Sequence, residues 1–232
     1  GAYEETAVLY RSNAQSRALE EALLRVSIPY RIYGGLRFYE RLEIKNAIAY
    51  LKIIFNNKDN PSFERSISNP TRGVGEKTLG KIRQAAKKFN ISYIKASAKL
   101  IDEGSIGGRG GAGLKDYLEF IIGCKQFIED NTLSELMELI IKESGLYAYH
   151  AKEAGEKGKT RTENLEELIT ATKNFEQSIK DEKTNAEIAE SYLDVISLDS
   201  GDRQASEHDD AAQLMTMHSA KGLEFKLVLL TG

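Results

Sequence analysis

The spacing of hydrophobic residues changes twice along this chain, from strand-like to helical and back. The run TAVLY at residues 6–10 is nearly continuous in apolar side chains, which is typical of a strand buried on both faces of a parallel sheet. A helical stripe that includes Leu19 and Leu23 follows, and YRIYGG at residues 30–35 alternates like a second strand. This strand–helix–strand order predicts an α/β layer at the start of the chain.

The middle of the chain has almost purely helical spacing. Between about residue 42 and residue 198, apolar side chains recur every three or four positions, beginning with the stripe from Ile44 to Phe55. Strand patterns return only at QLMTM (213–217) and KLVLLT (226–231). We therefore predict a helical domain inserted into an α/β domain whose two pieces lie at the two ends of the chain.

One segment inside the helical part is dominated by glycine. GSIGGRGGAG, residues 104–113, has six glycines in ten positions, so we predict a flexible loop between two helices and assign it no role. The final strand pattern stops at the last residues of the chain, and we expect the natural polypeptide to continue beyond it.

The composition narrows the class of protein. The 232 residues are 41% hydrophobic and 29% charged, which is ordinary for a soluble globular chain of one large or two modest domains. No apolar run approaches the roughly 18 residues of a membrane span, so we expect no membrane partner. The single cysteine, Cys124, excludes a disulfide framework or a cysteine metal cluster, so we predict no metal site and a cytoplasmic location.

The net charge of −3 conceals a polarised distribution of charges. Between residues 71 and 88, six cations face a single acid, Glu76, whereas acids dominate from residue 176 to residue 210. The basic stretch is suited to phosphates, and the acidic one to solvent or to a partner protein.

The strongest candidate for nucleic-acid contact is NPTRGVGEKTL, residues 69–79. Gly73 and Gly75 flank an apolar anchor, Val74, in a tight hairpin whose backbone N–H groups can approach a phosphate. The neighbouring side chains that can add contacts are Thr71, Arg72, Lys77 and Thr78. A helix-hairpin-helix of this type holds the duplex backbone without reading sequence. The alternative is a plain helix–helix turn with a solvated basic face.

A second basic segment is GEKGKTRTENLEEL, residues 155–168. We predict a loop that carries Lys159, Thr160 and Arg161, followed by a helix that Thr162 caps. Contact with phosphates and a solvated charged loop are equally compatible with this composition.

A third segment, GGLRFYER at residues 34–41, places Arg37 beside two aromatic residues after a pair of glycines. Arginine and aromatic side chains together are suited to contact with a DNA strand. The alternative is that the aromatic residues belong to the core.

The segment MTMHSAKGLEF, residues 215–225, follows the end of an apolar strand. Its polar residues and turn glycine are Thr216, His218, Ser219, Lys221, Gly222 and Glu224. The first three offer small donors at a strand's C-terminal end, where α/β proteins bind ligands; the next two can approach a phosphate, and the glutamate a ribose hydroxyl or an attacking water. The sequence has no G-x-x-x-x-G-K-[ST] phosphate loop and no acidic pair at a strand end for Mg²⁺, so we predict no complete ATPase.

Five ordered blocks of the sequence resemble the UvrD/PcrA/Rep DNA helicases of superfamily one: VLYRSNAQSRALEEAL, IPYRIYGGLRFYERLEIKNAIAYLK, NPTRGVGEKTL, GEKGKTRTENLEELI and QLMTMHSAKGLEF. The resemblance implies an α/β fold with a large all-α insertion, mostly helical overall, with a partial RecA-like parallel sheet built from both chain ends. Residues 1–41 and 209–232 would belong to the second RecA-like motor domain. Residues 42–208 would form the inserted helical domain that binds duplex DNA.

The resemblance also implies a role for each candidate residue. Contacts to the translocating single strand would come from Asn13, Arg37, Thr216, His218 and Ser219. The residues facing ATP would be Lys221, Gly222 and Glu224. Contacts to the duplex would come from Thr71, Arg72, Gly73, Val74, Gly75, Lys77 and Thr78, together with Lys159, Thr160 and Arg161.

The function implied by the resemblance is that of an ATP-dependent 3′-to-5′ DNA helicase. ATP and Mg²⁺ would be cofactors of the full-length protein, and its partners would be single-stranded DNA, duplex DNA and the missing first motor domain. Because the family's phosphate loop and Mg²⁺-binding acids have no counterpart here, we expect this chain alone to bind no cofactor and to be inactive. The alternatives are a stand-alone, sequence-independent DNA-binding module and a regulatory module that docks a protein through residues 176–210.

Overall fold

The computed structural model of the chain describes residues 2–180, 183–201 and 209–231, with side chains as far as residue 198 in the second range. The predicted domain boundary at residue 208 lies outside the described residues. Four acids of the predicted acidic segment also lie outside them: Asp181, Glu182, Asp202 and Glu207.

Four parallel strands form the sheet of the described structure: β1 (Thr6–Tyr10), β2 (Tyr30–Ile32), β3 (Ala212–Thr216) and β4 (Leu227–Leu230). Their order is β2-β3-β1-β4, with Val8 opposite Leu214 on one side and Leu229 on the other. The two ends of the chain therefore share a sheet, which confirms the predicted α/β fold with strands from both ends.

The continuous apolar pattern of β1 is explained by its place between β3 and β4. Val8 and Tyr10 are buried, and helix α1 (Ser16–Arg25) packs Leu19 against this face of the sheet. The residues of β4 are exposed in the described structure, Leu230 by 72%. In the strand order, β4 lies at one edge of the sheet and β2 at the other.

Helices fill the chain between the two halves of the sheet. They are α2 (Leu42–Phe55), α3 (Asn60–Ser68), α4 (Glu76–Phe89), α5 (Tyr93–Asp102), α6 (Gly108–Asp130), α7 (Leu133–Glu143), α8 (Leu146–Ala151), α9 (Glu156–Ser178) and α10 (Asn185–Gly201). They share one apolar core, in which Tyr50, Phe63 and Tyr117 are fully buried. The Tyr50 hydroxyl donates to the carbonyl oxygen of Ser66 at 2.6 Å, so this buried polar group is satisfied. The large helical content predicted from the sequence is confirmed.

The glycine-rich segment is not the flexible loop that the sequence predicted. α6 begins at Gly108, so the second half of the segment is helical. A methyl group on Gly113 would lie 1.9 Å from the carbonyl oxygen of Arg72. Glycine therefore lets α6 pack directly against a backbone that is distant in sequence, which composition alone does not reveal.

The predicted loop at residues 155–161 is also helical. α9 starts at Glu156, and the Thr162 hydroxyl donates to the Lys159 carbonyl oxygen (2.9 Å) inside the helix instead of capping it. The carboxylate of Glu153 lies just before this helix and pairs with cations of its first two turns. A negative group at that position stabilises a helix start, which is why the helix begins earlier than predicted.

A polar junction joins α9 to the α/β part of the chain. The Arg17 Nε donates to the Glu167 carboxylate at 2.5 Å, and the Ser12 hydroxyl donates to the Glu163 carboxylate at 2.6 Å. Arg17 is buried, so its pair with Glu167 is shielded from solvent better than a surface ion pair. The helical part is therefore fastened to the sheet by directed contacts as well as by chain connectivity.

The lone cysteine is a packing residue. Cys124 is buried in the helical core, and this burial raises the pKa of its thiol to about 12, which keeps the thiol protonated and unreactive. Among the described side chains, no group of three or more His, Cys, Asp or Glu residues is arranged to hold a metal ion. No helix within the described ranges has both the length and the apolar character needed to cross a membrane.

Candidate nucleic-acid interface

The predicted hairpin connects α3 to α4 and lies at the surface. Gly73 and Gly75 are exposed, whereas Val74 is 9% exposed and packs into the helical core. Gly73 has φ = 75°, a left-handed conformation that a side chain would strain. The turn is thus held to the helical core through Val74, while its two glycines face the solvent. The assignment of this segment as a helix-hairpin-helix stays a prediction.

The backbone N–H groups of this turn are available to an external acceptor. The N–H groups of Thr78 and Leu79 donate to the Gly75 carbonyl oxygen at 3.0 Å, where the hydrogen bonding of α4 begins. In the described part of the chain, the N–H groups of residues 73–77 have no protein acceptor. A solvent-facing helix start with open N–H groups attracts anions.

Arg72 faces the protein and not the solvent. Its guanidinium donates to the carbonyl oxygens of Ser66 (3.2 Å) and Ser144 (2.8 Å). It also lies 5.6 Å from the ring centroids of Tyr50 and Tyr117. These contacts occupy donors that a phosphate would need, and they hold the turn against the core. The direct phosphate contact predicted for Arg72 stays a prediction.

The basic stretch after the turn is partly neutralised. Arg83 donates to both carboxylate oxygens of Glu64 at 2.7 Å and also pairs with Glu76. These hydrogen bonds from Arg83 lower the pKa of the Glu64 carboxyl. Thr71 and Lys77 remain exposed beside the turn, and Lys77 has no carboxylate partner among the described residues.

The start of α6 packs against the same turn. A methyl group on Gly110 would lie 3.1 Å from the Gly73 carbonyl oxygen and 3.5 Å from the half-buried Thr78 hydroxyl. A methyl group on Gly73 would lie 3.0 Å from Arg109 Cγ. The exposed Arg109 side chain therefore lies directly over the turn at Gly73. Arg109 could not be recognised from the sequence because the surrounding glycines predict a flexible segment.

The second group of residues predicted to contact the duplex is Lys159, Thr160 and Arg161. Fewer of the positive charges in this region lack an acidic partner than the sequence suggests. Arg161 pairs with Glu153 (2.5 Å) and Glu43 (3.6 Å), and the buried His150 is hydrogen-bonded to Glu153 at 2.7 Å. The hydrogen bonds from His150 and Arg161 lower the pKa of Glu153 to about 2. Lys159 is exposed in the first turn of α9.

A cavity of about 390 Å³ joins this second group to the α/β part of the chain. Asn13, Gly35 and Arg41 line it on one side, and Thr160 and Arg161 line it on the other. The Arg41 guanidinium donates to the Asn13 carbonyl oxygen at 2.8 Å, which fixes this wall. Asn13, predicted to contact the single strand, therefore lies beside two residues predicted to contact the duplex.

Arg37 lies in the interior of the α/β part. It is 2% exposed, its Nε donates to the Tyr30 hydroxyl at 2.9 Å, and its guanidinium lies 4.0 Å from the Glu20 carboxylate. Burial raises the pKa of Glu20 in this cluster. A side chain this buried is not available to a DNA strand in this structure, and the strand contact predicted for Arg37 stays a prediction.

The segment after β3 forms an exposed turn at the C-terminal edge of the sheet. The Thr216 hydroxyl lies 2.9 Å from the Ser219 hydroxyl and accepts the Ser219 N–H at 3.2 Å. The exposed residues of the turn include His218, Ser219, Lys221, Gly222 and Glu224. Gly222 has φ = 85°, a left-handed conformation that favours glycine. The residues predicted for ATP and for the single strand thus share one turn, at the edge where α/β proteins bind ligands.

Comparisons with known proteins cover nearly the whole chain. The family described as UvrD-like helicase C-terminal domain matches residues 1–104 and 117–232. DNA helicase II of Escherichia coli (strain K12) is 47% identical over 232 residues, which are 100% of this chain and 32% of that protein. ATP-dependent DNA helicase PcrA of Bacillus subtilis (strain 168) is 36% identical over 230 residues, 98% of this chain and 31% of that protein. The chain spans about a third of the length of these curated relatives.

Proposed function

Since the chain belongs to the family of UvrD-like helicase C-terminal domains, we propose that it acts as part of an ATP-dependent 3′-to-5′ DNA helicase. In this proposal the helical part grips the backbone of the duplex ahead of the fork. The α/β part forms one side of the site for ATP and for the single strand. The names of the relatives, DNA helicase II and ATP-dependent DNA helicase PcrA, support the activity.

One observation carries the proposal. The Gly73–Gly75 turn is exposed, its N–H groups have no acceptor in the described structure, and Lys77 adds a cation beside them. Backbone N–H groups and a lysine hold phosphates without reading bases. Thr71 and Thr78 are placed to add hydroxyl donors, while Arg72 holds the turn in position. We therefore expect duplex binding that does not depend on sequence and that weakens with salt.

A second contact lies at the start of α9. Lys159 is exposed and Thr160 lines the cavity shared with Asn13, so these residues are assigned to DNA, whereas Arg161 stabilises the helix start through Glu153. The shared cavity supports a path along which a strand leaving the duplex reaches the α/β part.

The exposed turn after β3 is assigned to the nucleotide and to the translocating strand. Bound ATP supplies the free energy of phosphoanhydride hydrolysis. Lys221 offers a cation to its phosphates, Gly222 lets the backbone come close, and Glu224 can accept from a ribose hydroxyl. Thr216, His218 and Ser219 offer small polar groups to the single strand. Because the sequence contains no phosphate loop, we expect no ATP hydrolysis by this chain alone.

A single methyl group at the turn tests the proposal. Gly75 has φ = −94° and a methyl group there would meet nothing within 4 Å, so we expect Gly75→Ala to fold, with at most a small loss of stability at this helix N-cap. We expect the added methyl group to hinder the close approach of a phosphate to the backbone of the turn. We expect about tenfold weaker duplex binding, equivalent to one lost charge-assisted hydrogen bond. Gly123→Ala, at an exposed position of α6 that also has no neighbour within 4 Å, is the matched control.

Fluorescence anisotropy with two labelled duplexes of unrelated sequence measures these affinities between about 50 and 200 mM salt. The proposal predicts equal affinity for both duplexes, steep weakening with salt and a loss in Gly75→Ala but not in Gly123→Ala. Absence of duplex binding by the unmodified chain, a strong preference for one sequence, or an unchanged Gly75→Ala would each overturn it.

A further inference from the structure

The glycine-rich start of α6 and the Gly73–Gly75 turn form one continuous surface. A methyl group on Gly113 would lie 1.9 Å from the Arg72 carbonyl oxygen, and one on Gly110 would lie 3.1 Å from the Gly73 carbonyl oxygen. A side chain at Gly113 would push α6 away from the turn, and one at Gly110 would require a smaller displacement. The segment is therefore built for close packing between two elements that lie apart in sequence.

This packing positions Arg109 across the turn. Arg109 Cγ lies 3.0 Å, and Nε 3.5 Å, from the position that a Cβ on Gly73 would take. Arg109 is exposed, and within the described part of the chain its guanidinium has no hydrogen-bond or ion-pair partner. Arg72 and Arg83, the other guanidinium groups of this region, are held by carbonyl and carboxylate oxygens. The guanidinium donors of Arg109 therefore lie beside backbone N–H groups of the turn, and neither set has an acceptor in the described part of the chain.

We propose that Arg109 binds the same DNA phosphate as the backbone N–H groups of residues 73–77, so that the duplex grip has one side from α4 and one from α6. This inference rests on the proposed function. A guanidinium presents paired donors that match phosphate oxygens, and the turn supplies donors from the opposite side. Neither side reads bases, so the grip gains affinity and stays independent of sequence.

The family match skips residues 105–116, the stretch that carries Arg109 and the close-packed glycines. The support for the Arg109 contact therefore comes from the geometry of this chain and not from the family match. Gly113 and Gly110 keep α6 near the turn, and the turn's own Gly73 leaves the space that the Arg109 side chain occupies. The position of Arg109 over the turn therefore depends on all three glycines.

Two substitutions of Arg109 test the contact. Arg109→Gln removes the charge from an exposed helical position, and we expect about five- to tenfold weaker duplex binding and a salt slope reduced by about one. Arg109→Lys restores the charge without the paired donors, so the salt slope returns while part of the affinity stays lost. Lys115→Gln removes a charge from another exposed position of the same helix, where the lysine lies 3.8 Å from Glu119, and serves as the control.

The outcomes separate this inference from the proposed function. If the unmodified chain binds duplex and Gly75→Ala weakens it, but Arg109→Gln leaves affinity and salt slope unchanged, the Arg109 contact is wrong and the proposed function stands. Equal losses in Arg109→Gln and Lys115→Gln indicate a diffuse charge effect and also overturn the contact. If the unmodified chain binds no duplex, the proposed function fails and the contact fails with it. Unfolding midpoints of all variants verify that the fold is intact.

Discussion

The glycines of the Gly73–Gly75 turn leave its backbone accessible, whereas Gly158 at the start of α9 lets another part of the backbone pack closely against the helix. The N–H groups of residues 73–77 have no protein acceptor in the described structure, and Lys77 beside them is exposed. At the start of α9, a methyl group on Gly158 would lie 2.3 Å from the Glu153 carbonyl oxygen, and Arg161 is held in ion pairs. Similar sequence patterns therefore serve opposite purposes.

The difference shows that the number of cations in a segment does not by itself indicate phosphate binding. What matters is how many of those cations have no carboxylate partner in the folded chain. The sequence of the second segment offers several cations, yet Glu153 pairs with Lys157 and Arg161, and a further acid, Glu43, also lies near Arg161. An ion-paired arginine has less to offer a phosphate, because binding would require breaking contacts that already exist. For this reason we expect the first segment to be the stronger DNA contact.

The largest expected effect comes from separating α6 from the turn. Gly113→Ala places a methyl group against the Arg72 carbonyl oxygen, which is backbone and cannot rotate away. We expect the free energy of unfolding to fall by about 3 kcal/mol, the upper range for overpacking, and duplex binding to weaken as the turn shifts. Urea denaturation measures the first effect and anisotropy the second.

The control for this prediction lies on the same helix. Gly123→Ala adds the same methyl group without a neighbour within 4 Å, so we expect a gain of up to about 1 kcal/mol from helix propensity. If Gly113→Ala were as stable as Gly123→Ala, the tight packing of α6 on the turn would be refuted, and the glycine-rich segment would again be compatible with a loop.

Most of the fold could be predicted from the sequence because apolar spacing reports burial. β1 coincides with the run TAVLY, since a strand between two neighbours is apolar on both faces. The helical stripes of α2 and later helices face one core for the same reason. The glycine-rich start of α6 could not be predicted, because its cause is a backbone contact with residues 72 and 73, about 40 positions away.

The candidate site was less predictable than the fold because side-chain partners are set by tertiary contacts. Arg37 lies beside aromatic residues in sequence, but its burial depends on Glu20 and Tyr30. Arg161 is engaged by Glu43 from a helix far earlier in the chain. The exposed turn at residues 73–75 was recognisable because its glycines and its apolar anchor are consecutive in sequence.

A smaller effect distinguishes the cations of the second segment from one another. Lys159→Gln removes an exposed charge, so we expect about two- to threefold weaker duplex binding with a salt slope lowered by about one, and a change in stability within about 0.5 kcal/mol. Arg161→Gln leaves Glu43 and Glu153 without this partner, so we expect about 1 kcal/mol lower stability and an unchanged salt slope. A lowered slope in Arg161→Gln would show that its ion pairs open for DNA and would remove the contrast with the turn.

The smallest effect is a pH dependence at the start of α9. Hydrogen bonds from His150 and Arg161 hold the pKa of Glu153 at about 2 in the folded chain, below its ordinary value of 4.5. A carboxyl whose pKa is lowered by folding stabilises the folded state above its ordinary pKa, and this contribution disappears as the pH falls towards the folded value. The stabilisation should therefore fade between pH 4.5 and pH 2. Since solvent screens this partly exposed carboxylate, we expect it to contribute less than about 1 kcal/mol to the free energy of unfolding.

Urea unfolding measures this contribution in the unmodified chain and in Glu153→Gln. The two free energies of unfolding should converge as the pH falls across this window. A constant difference would mean that the ion pairs of α9 do not stabilise its start.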